Sequence, residues 1–358
     1  MAHCHSRHAS DASRAFKEDG ALKTHIGGQA LIEGIMMRGR YNWSVAVREP
    51  LGSIYVEDHD IGSGQPRHQW MHWPLIRGCT SLVESLTIGY KALEIAATHA
   101  FDDEDDDNDQ PADVSASSDN EGDSDQDQTG STTNEASFGS QHEITIALVM
   151  GLVLGIVLFI VLPALITNLI VGEYDSATLT WNIVDGLLRI GVFIGYLWLI
   201  GRMKDVRRMF GYHGAEHKTI HCFEHGLPLT PDNARSFPRL HVRCGTAFLL
   251  MVMVIAIFVY AVTPINALIS AWGIADGAPK LLLVIAIRIV LMPVIAGVSY
   301  EVTVRWAGRH PSNPLVKIIL WPGMQMQYLT TREPDDGELE CAIAAMQHVV
   351  EREEREEA

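Results

Sequence analysis

The sequence predicts a mainly α membrane protein: a four-helix transmembrane bundle with a small cytoplasmic α+β N-terminal unit ahead of it and a C-terminal amphipathic helix behind it. Three observations predict this. Four apolar stretches are long enough to cross a bilayer. Lys and Arg gather in one inter-helix loop and after the last stretch, which sets one orientation. The net charge of −17 is concentrated in one polar run, 101–142, which holds 14 of the 44 acidic residues and no Lys or Arg. The remaining 30 acidic residues face 27 Lys and Arg, so the rest of the chain is nearly neutral.

The first stretch, Ile144–Val171, and the third, Thr246–Ala271, carry no charge. Uncharged runs of this length are rare in soluble cores, so insertion is the expectation. The second, Leu179–Ile200, contains Asp185 and Arg189, and the fourth, Leu281–Tyr300, contains Arg288. Pro264 and Pro293 are placed to kink the last two. The loop Arg202–Arg243 carries eight Lys or Arg, whereas Gly172–Ala177 has Glu173 and Asp175 and no base. Both termini and the central loop are therefore expected in the cytoplasm of a cell whose plasma membrane the chain crosses.

The layout that follows has a disordered N-terminus over 1–24 and a cytoplasmic unit over 25–100. An acidic disordered linker covers 101–142. The membrane domain covers 143–305, with its cytoplasmic loop at 202–244, and a cytoplasmic segment closes the chain over 306–358. The linker is rich in Asp, Ser, Gln and Thr and cannot bury enough apolar surface to fold. In the 25–100 unit, Ser44–Arg48 and Ser53–Glu57 alternate like strands around the turn Glu49–Gly52, which predicts a hairpin. Trp73–Ala97 reads as a helix whose start, with Trp70, Trp73 and Arg77, suits either a membrane interface or a core. In the tail, Leu339, Ile343, Met346 and Val350 share one face of a helix over Glu338–Glu351, capped by Asp335 or Asp336.

Some functions are excluded at this level. No dense basic patch supports a nucleic-acid partner. Five scattered cysteines with no CxxC pair argue for a reducing compartment over a disulfide framework. The glycine-punctuated segment Gly27–Gly39 lacks the Gly-Lys-Ser/Thr of a phosphate loop, so its glycines are read as close backbone packing, with Glu33 and Arg38 in reach of a membrane-face site.

The strongest chemical signal is His213-Gly214-Ala215-Glu216-His217. Residues four apart share a helix face, so His213 and His217 can grip one divalent metal, zinc among the candidates with iron and manganese. Glu216 lies about 60° to one side of His213, placed to take a proton from water held there. A polar helix end with two solvated histidines is the bland alternative. The neighbourhood favours metal, because His221, His225, Glu224, Cys222, His241 and Cys244 follow closely. A straight helix puts Glu224 about 16 Å from His213, too far for one ion, so Glu224 qualifies as a third ligand only if the helix breaks after Lys218. His241 or Cys244 can fold back freely; His241 is preferred, Glu224 next. Asp185, Arg189 and Arg288 inside the spans, and Glu301 at the end of the fourth, either line a site or fix helix packing.

Several blocks together carry a resemblance: GGQALIEGIMMRG (27–39), WPLIRGCTSLVESLTIGYKAL (73–93), MKDVRRMFGYHGAEHKTIHCFE (203–224), HVRCGTAFLL (241–250) and PGMQMQYLTTREPDDGELECAIAAM (322–346). The chain resembles the YqhQ-like family of bacterial membrane proteins, a family of unknown function labelled metal-dependent on the strength of its histidine motif. The family block has proline where Val242 stands here. By position, the resemblance makes His213, Glu216 and His217 the family's HGAEH and puts Glu224, His241 and Cys244 in its pattern. The motif itself, on a basic and membrane-proximal helix, leads to the expectation of a metal-dependent membrane enzyme of hydrolytic type, with Glu216 as base, within reach of lipid head groups or membrane-protein segments. The competing expectation is a scaffold or assembly factor with structural histidines. A transporter built on Asp185, Arg189 and Arg288 would need an oligomer.

Overall fold

The computed structural model describes residues 11–18, 25–61, 71, 73–101, 146, 149–172, 174, 178–263, 265–307, 310 and 313–357. The acidic run with its expected disorder lies outside these residues, as do Pro264 and most of 1–24. Part of that N-terminus is ordered, against expectation. Helix α1 (Asp11–Glu18) packs Ala12 and Ala15 against Leu320 and Met324, and the Ala12 N–H donates to the Tyr328 hydroxyl.

An antiparallel meander follows: β1 (Gly27–Leu31), β2 (Gly34–Arg38), β3 (Asn42–Arg48) and β4 (Ile54–Asp60), in that spatial order. The β3–β4 hairpin is the expected one, closed by Gly52 at φ +93°. The β1–β2 hairpin was not expected. Both faces of β2 are covered, which removes the alternation that marks a half-buried strand. Its turn also lacks the usual glycine signal, because Glu33 itself takes the left-handed conformation at φ 50°.

One sheet face, with Met36, Trp43, Val45 and Val47, is covered by Ile88, Ala92 and Ala96 of α2 (Ile76–Phe101). The N-terminal half of α2 does something else. Gly78 abuts Gly297 and Tyr300, and Arg77 forms a two-pronged ion pair with Glu301. That half leaves Leu82, Val83 and Leu86 exposed, as is Trp73 just ahead of it. The core reading of this helix thus holds for its C-terminal half, while the other half leaves an apolar face uncovered.

Among the described residues, three helices are long and apolar enough to cross a membrane: Val149–Val171 (α3, with a π-helical turn at Val157–Val161), Leu179–Ile200 within α4 (Thr178–Ile200), and Ala278–Trp306. The expected continuous span Thr246–Ala271 is broken. Between α4 and that segment lie α5 (Lys204–Glu224) and the short α6 (Pro231–Arg235). Helix α7 (Gly245–Val262) then ends at Thr263, which is extended at φ −78° and ψ 124°, and α8 (Ile265–Trp272) follows. The residue before a proline is pushed out of the helical region, which accounts for the break. The apolar part of α7, Phe248–Val262, would rise only about 22 Å, less than a hydrocarbon core. The last long span is α9 (Ala278–Val290) and α10 (Met292–Tyr300), jointed at Leu291 just ahead of Pro293, then a π-helical turn Glu301–Trp306.

Helix α11 (Pro314–Thr330), capped by the Asn313 side chain, packs along α7. Helix α12 (Asp336–Glu357) lays Leu339, Ala342, Met346 and Val349 on the second sheet face, against Ile35, Met37 and Ala46. Tyr212 and Ala215 of α5 complete that core. Helix α5 is therefore enclosed by β1, α12 and the loop leading to α7.

Candidate metal centre

Helix α5 runs without a break to Glu224, so its histidines keep their four-residue step and its glutamates their separate faces. Nearly every side chain from Phe210 to Cys222 is buried. Two glycines permit this. A Cβ at Gly214 would collide with the Arg332 carbonyl, and one at Gly28 of β1 would lie 2.9 Å from Glu216 Cδ.

The row divides into two clusters. Donor atoms of His213, His217 and Cys244 lie within 4.8 Å of one another, and so do those of His221, Glu224 and His241. His213 and His217 are therefore together as expected. Cys244 joins them from the N-cap of α7, while His241 and Glu224 are placed with His221, one helical turn on.

Hydrogen bonds aim the imidazoles of the first cluster. His213 Nδ1 lies 2.8 Å from the Thr330 carbonyl and His217 Nδ1 2.6 Å from that of Arg239. Carbonyls only accept, so both Nδ1 atoms donate to them and both Nε2 atoms face the centre, where a cation would have to displace any proton that His213 Nε2 carries. His213 Nε2 is 3.2 Å from Cys244 Sγ, and buried His217 Nε2 has no hydrogen-bond partner. This is the second-shell pattern of metal-ligating histidines. The electrostatics agree. Burial would raise the Cys244 thiol, but the charges of His213 and His217 and the hydrogen bond with His213 bring it well below its usual value. Burial would lower His213, but the facing sulfur charge holds it up at about 9. A thiolate pinned between two imidazoles suits a soft or borderline cation.

Glu216 is buried beside this triangle but is not a corner of it. It takes the Gly28 backbone hydrogen bond, and burial raises its carboxyl pKa against the lowering pull of His217 and His213.

The second cluster is built differently. His221 Nε2 donates to the Leu240 carbonyl, leaving buried Nδ1 without a hydrogen-bond partner. His241 Nδ1 accepts from the Arg243 N–H at 3.3 Å, so its proton sits on Nε2, 3.7 Å from Glu224. The Arg243 guanidinium pairs with Glu224. A site with its carboxylate already paired to a cation, and one imidazole protonated toward the centre, is a poorer metal cage than the first.

Lys218 reinforces the same wall by donating to the Arg235 and Phe237 carbonyls. Gln327 fixes His241 through reciprocal bonds of 2.8 Å to its backbone N–H and carbonyl. Thr330, Gln327 and Lys218 carry no motif and were not singled out in the sequence. His221 was visible only as the next four-residue step. The remaining candidates lie elsewhere: Glu301 with Arg77, Glu33 with Arg208, Arg38 with Glu84, and Asp185, Arg189 and Arg288 together inside the apolar helices.

A family profile described as "Protein of unknown function (DUF1385)" matches residues 73–352. The "Uncharacterized protein YqhQ" of Bacillus subtilis (strain 168) is 27% identical over 329 residues, covering 90% of this chain and 92% of that protein. No solved structure matches the chain.

Proposed function

We propose, for a chain that belongs to the DUF1385 family of proteins of unknown function, a metal-dependent membrane enzyme of hydrolytic type. Its centre is held by His213, His217 and Cys244. The observation that carries this reading is the convergence of those three donors within 4.8 Å, with both ring Nδ1 atoms tied to backbone carbonyls. Three protein donors leave a tetrahedral ion one position short, the arrangement of catalytic sites and not of closed structural ones. A zinc-class divalent ion would supply Lewis acidity there. Glu216, oriented by Gly28 and raised by burial, holds or takes the proton as general base.

The same reading has four crossings, with α7 and α8 together making the third, and both termini in the cytoplasm of a bacterial cell. The charge asymmetry of the loops supports it. The centre then lies at the cytoplasmic membrane face, where α5 leaves the foot of α4 and Cys244 enters α7. Gly28 also lines a cleft of about 1380 Å³ whose other walls include Glu84 of α2 and Tyr300 of the last span. A lipid or membrane-protein segment is the substrate class that such a position favours.

Elemental analysis of the full-length protein, purified in detergent without chelator, tests the centre. About one equivalent of a zinc-class metal is expected, lost in His213→Ala, His217→Ala and Cys244→Ser and kept in Glu216→Gln. Metal-free wild type ends the proposal. A second reading, a scaffold with structural histidines, is favoured by the way the carbonyl bonds alone lash α5 to residues 239–240. It requires Glu216→Gln to leave cellular function intact; the enzyme reading requires that function to be lost.

A further inference from the structure

Away from the metal centre, α4 and α9 bring an unbalanced charge cluster into the apolar helices. Arg288 is wholly buried, Asp185 is 1% exposed and Arg189 7%. Arg288 pairs with Asp185 Oδ2 and donates to Asn182 Oδ1 at 2.6 Å. Arg189 lies 3.2 Å from that same Oδ2. Two guanidiniums thus share one carboxylate oxygen, and among the described residues Asp185 is the one acid bonded to either. The surplus is a full positive charge in a low-dielectric interior, which is costly unless an anion joins it.

The hydrogen-bond inventory says the same thing independently. Arg288 Nε, Arg189 Nε and Trp181 Nε1 are buried without a hydrogen-bond partner, against one remaining carboxylate acceptor, Asp185 Oδ1. Trp181 is completely buried, and the Arg288 guanidinium stands 4.5 Å from its ring and 4.4 Å from that of Tyr260. Donors in surplus, packed against aromatic walls, are what an oxyanion with several lone pairs would satisfy.

We propose that Arg189, Arg288 and Trp181 form an intramembrane binding site for an oxyanion, a carboxylate or a phosphate group. The two cations give it charge, the guanidinium planes give it bidentate geometry, and Asp185 holds Arg288 in place. A dissolved oxyanion and a lipid phosphodiester present the same chemistry to these donors.

Thermal melting of the full chain in nanodiscs tests this and separates the two sources. In zwitterionic lipid, inorganic phosphate or acetate is titrated at constant ionic strength set by sodium chloride; in a second arm, phosphatidylglycerol is built into the disc. An upward shift with phosphate or acetate identifies a dissolved oxyanion, and one seen only with phosphatidylglycerol identifies the lipid group. Arg189→Gln leaves the neutral Asp185–Arg288 pair intact. It should fold, lose the shift and weaken the apparent dissociation constant by about tenfold or more. No shift in any medium, or an equal shift in Arg189→Gln, overturns the site. So does a loss of stability in Glu173→Gln or Asp175→Asn as large as that in Asp185→Asn, because the chain would then supply its own anion.

Discussion

At the scale of single residues, the centre depends on atoms that are absent as much as on those present. A methyl group at Gly214 would strike the Arg332 carbonyl, two residues beyond the Thr330 carbonyl that orients His213. Overpacking of this kind costs about 1–3 kcal/mol. Gly214→Ala should therefore lower stability by that order in chemical denaturation and weaken metal retention together; unchanged metal content would show that Thr330 does not orient the ring. Glu338 gives a pH test. It packs on Gly211 and forms a reciprocal cap with Asp335, through bonds of 2.9 and 2.8 Å. Burial raises its carboxyl from 4.5 to about 7. A raised folded pKa means its contribution is fully present below pH 4.5 and lost as pH rises through about 7. The loss is at most on the order of 3 kcal/mol. Glu338→Gln keeps the accepting oxygen, so it should flatten the stability profile across that window and gain most at pH 8. A profile as steep as wild type would place the titration elsewhere.

At the scale of elements, α2 changes its surroundings halfway. Ile88, Ala92 and Ala96 face the sheet, whereas the first turns pack on α10 and turn Val83 and Leu86 outward, 63% and 65% exposed. Contact with a membrane-length helix on one side and exposed apolar groups on the other would suit the interfacial zone of a bilayer. A photo-crosslinking amino acid at 83 or 86 should then yield lipid adducts in native membranes, and one at Lys91 should not. Protein adducts or hydrolysis at 83 and 86 would remove α2 from the membrane. Single elements also show what was readable beforehand. The long apolar helices and the β3–β4 hairpin were legible because their periodicity and turn chemistry are local. The β2 strand was not, because burial on both faces erases alternation. The pairing of His213 with His217 followed from helical spacing alone. The choice of Cys244 over His241 could not, because it depends on how the loop after Leu240 folds back, which Gln327 fixes from 86 residues away.

At the scale of the whole molecule, the membrane helices are an insertion into a unit built from both ends of the chain. The sheet comes from 27–60, its cover from α12, and the centre from α5 and the 239–244 segment between them. Each part supplies something that the others lack: β1 the Gly28 N–H on Glu216, the middle all three donors, the C-terminal part the Thr330 carbonyl and the Gln327 clamp. Helix α12 has the largest apolar stake in this. Leu339, Met346 and Val349 are fully buried and Ile343 nearly so. At about 1.5–3 kcal/mol for each large side chain, these four are worth on the order of 6–12 kcal/mol, comparable to the whole stability of a typical domain, about 5–15 kcal/mol. Deleting 336–358 should therefore unfold the sheet and open α5, while the long apolar helices, satisfied by lipid, stay inserted. Limited proteolysis of membrane vesicles reads both outcomes: new cleavage within 25–61, bound metal lost, and the fragments spanning Val149–Val171 and Leu179–Ile200 still protected. If 25–61 stays resistant and the metal stays bound, α12 is an accessory strut, and the sheet draws its stability from α2 and α5 alone.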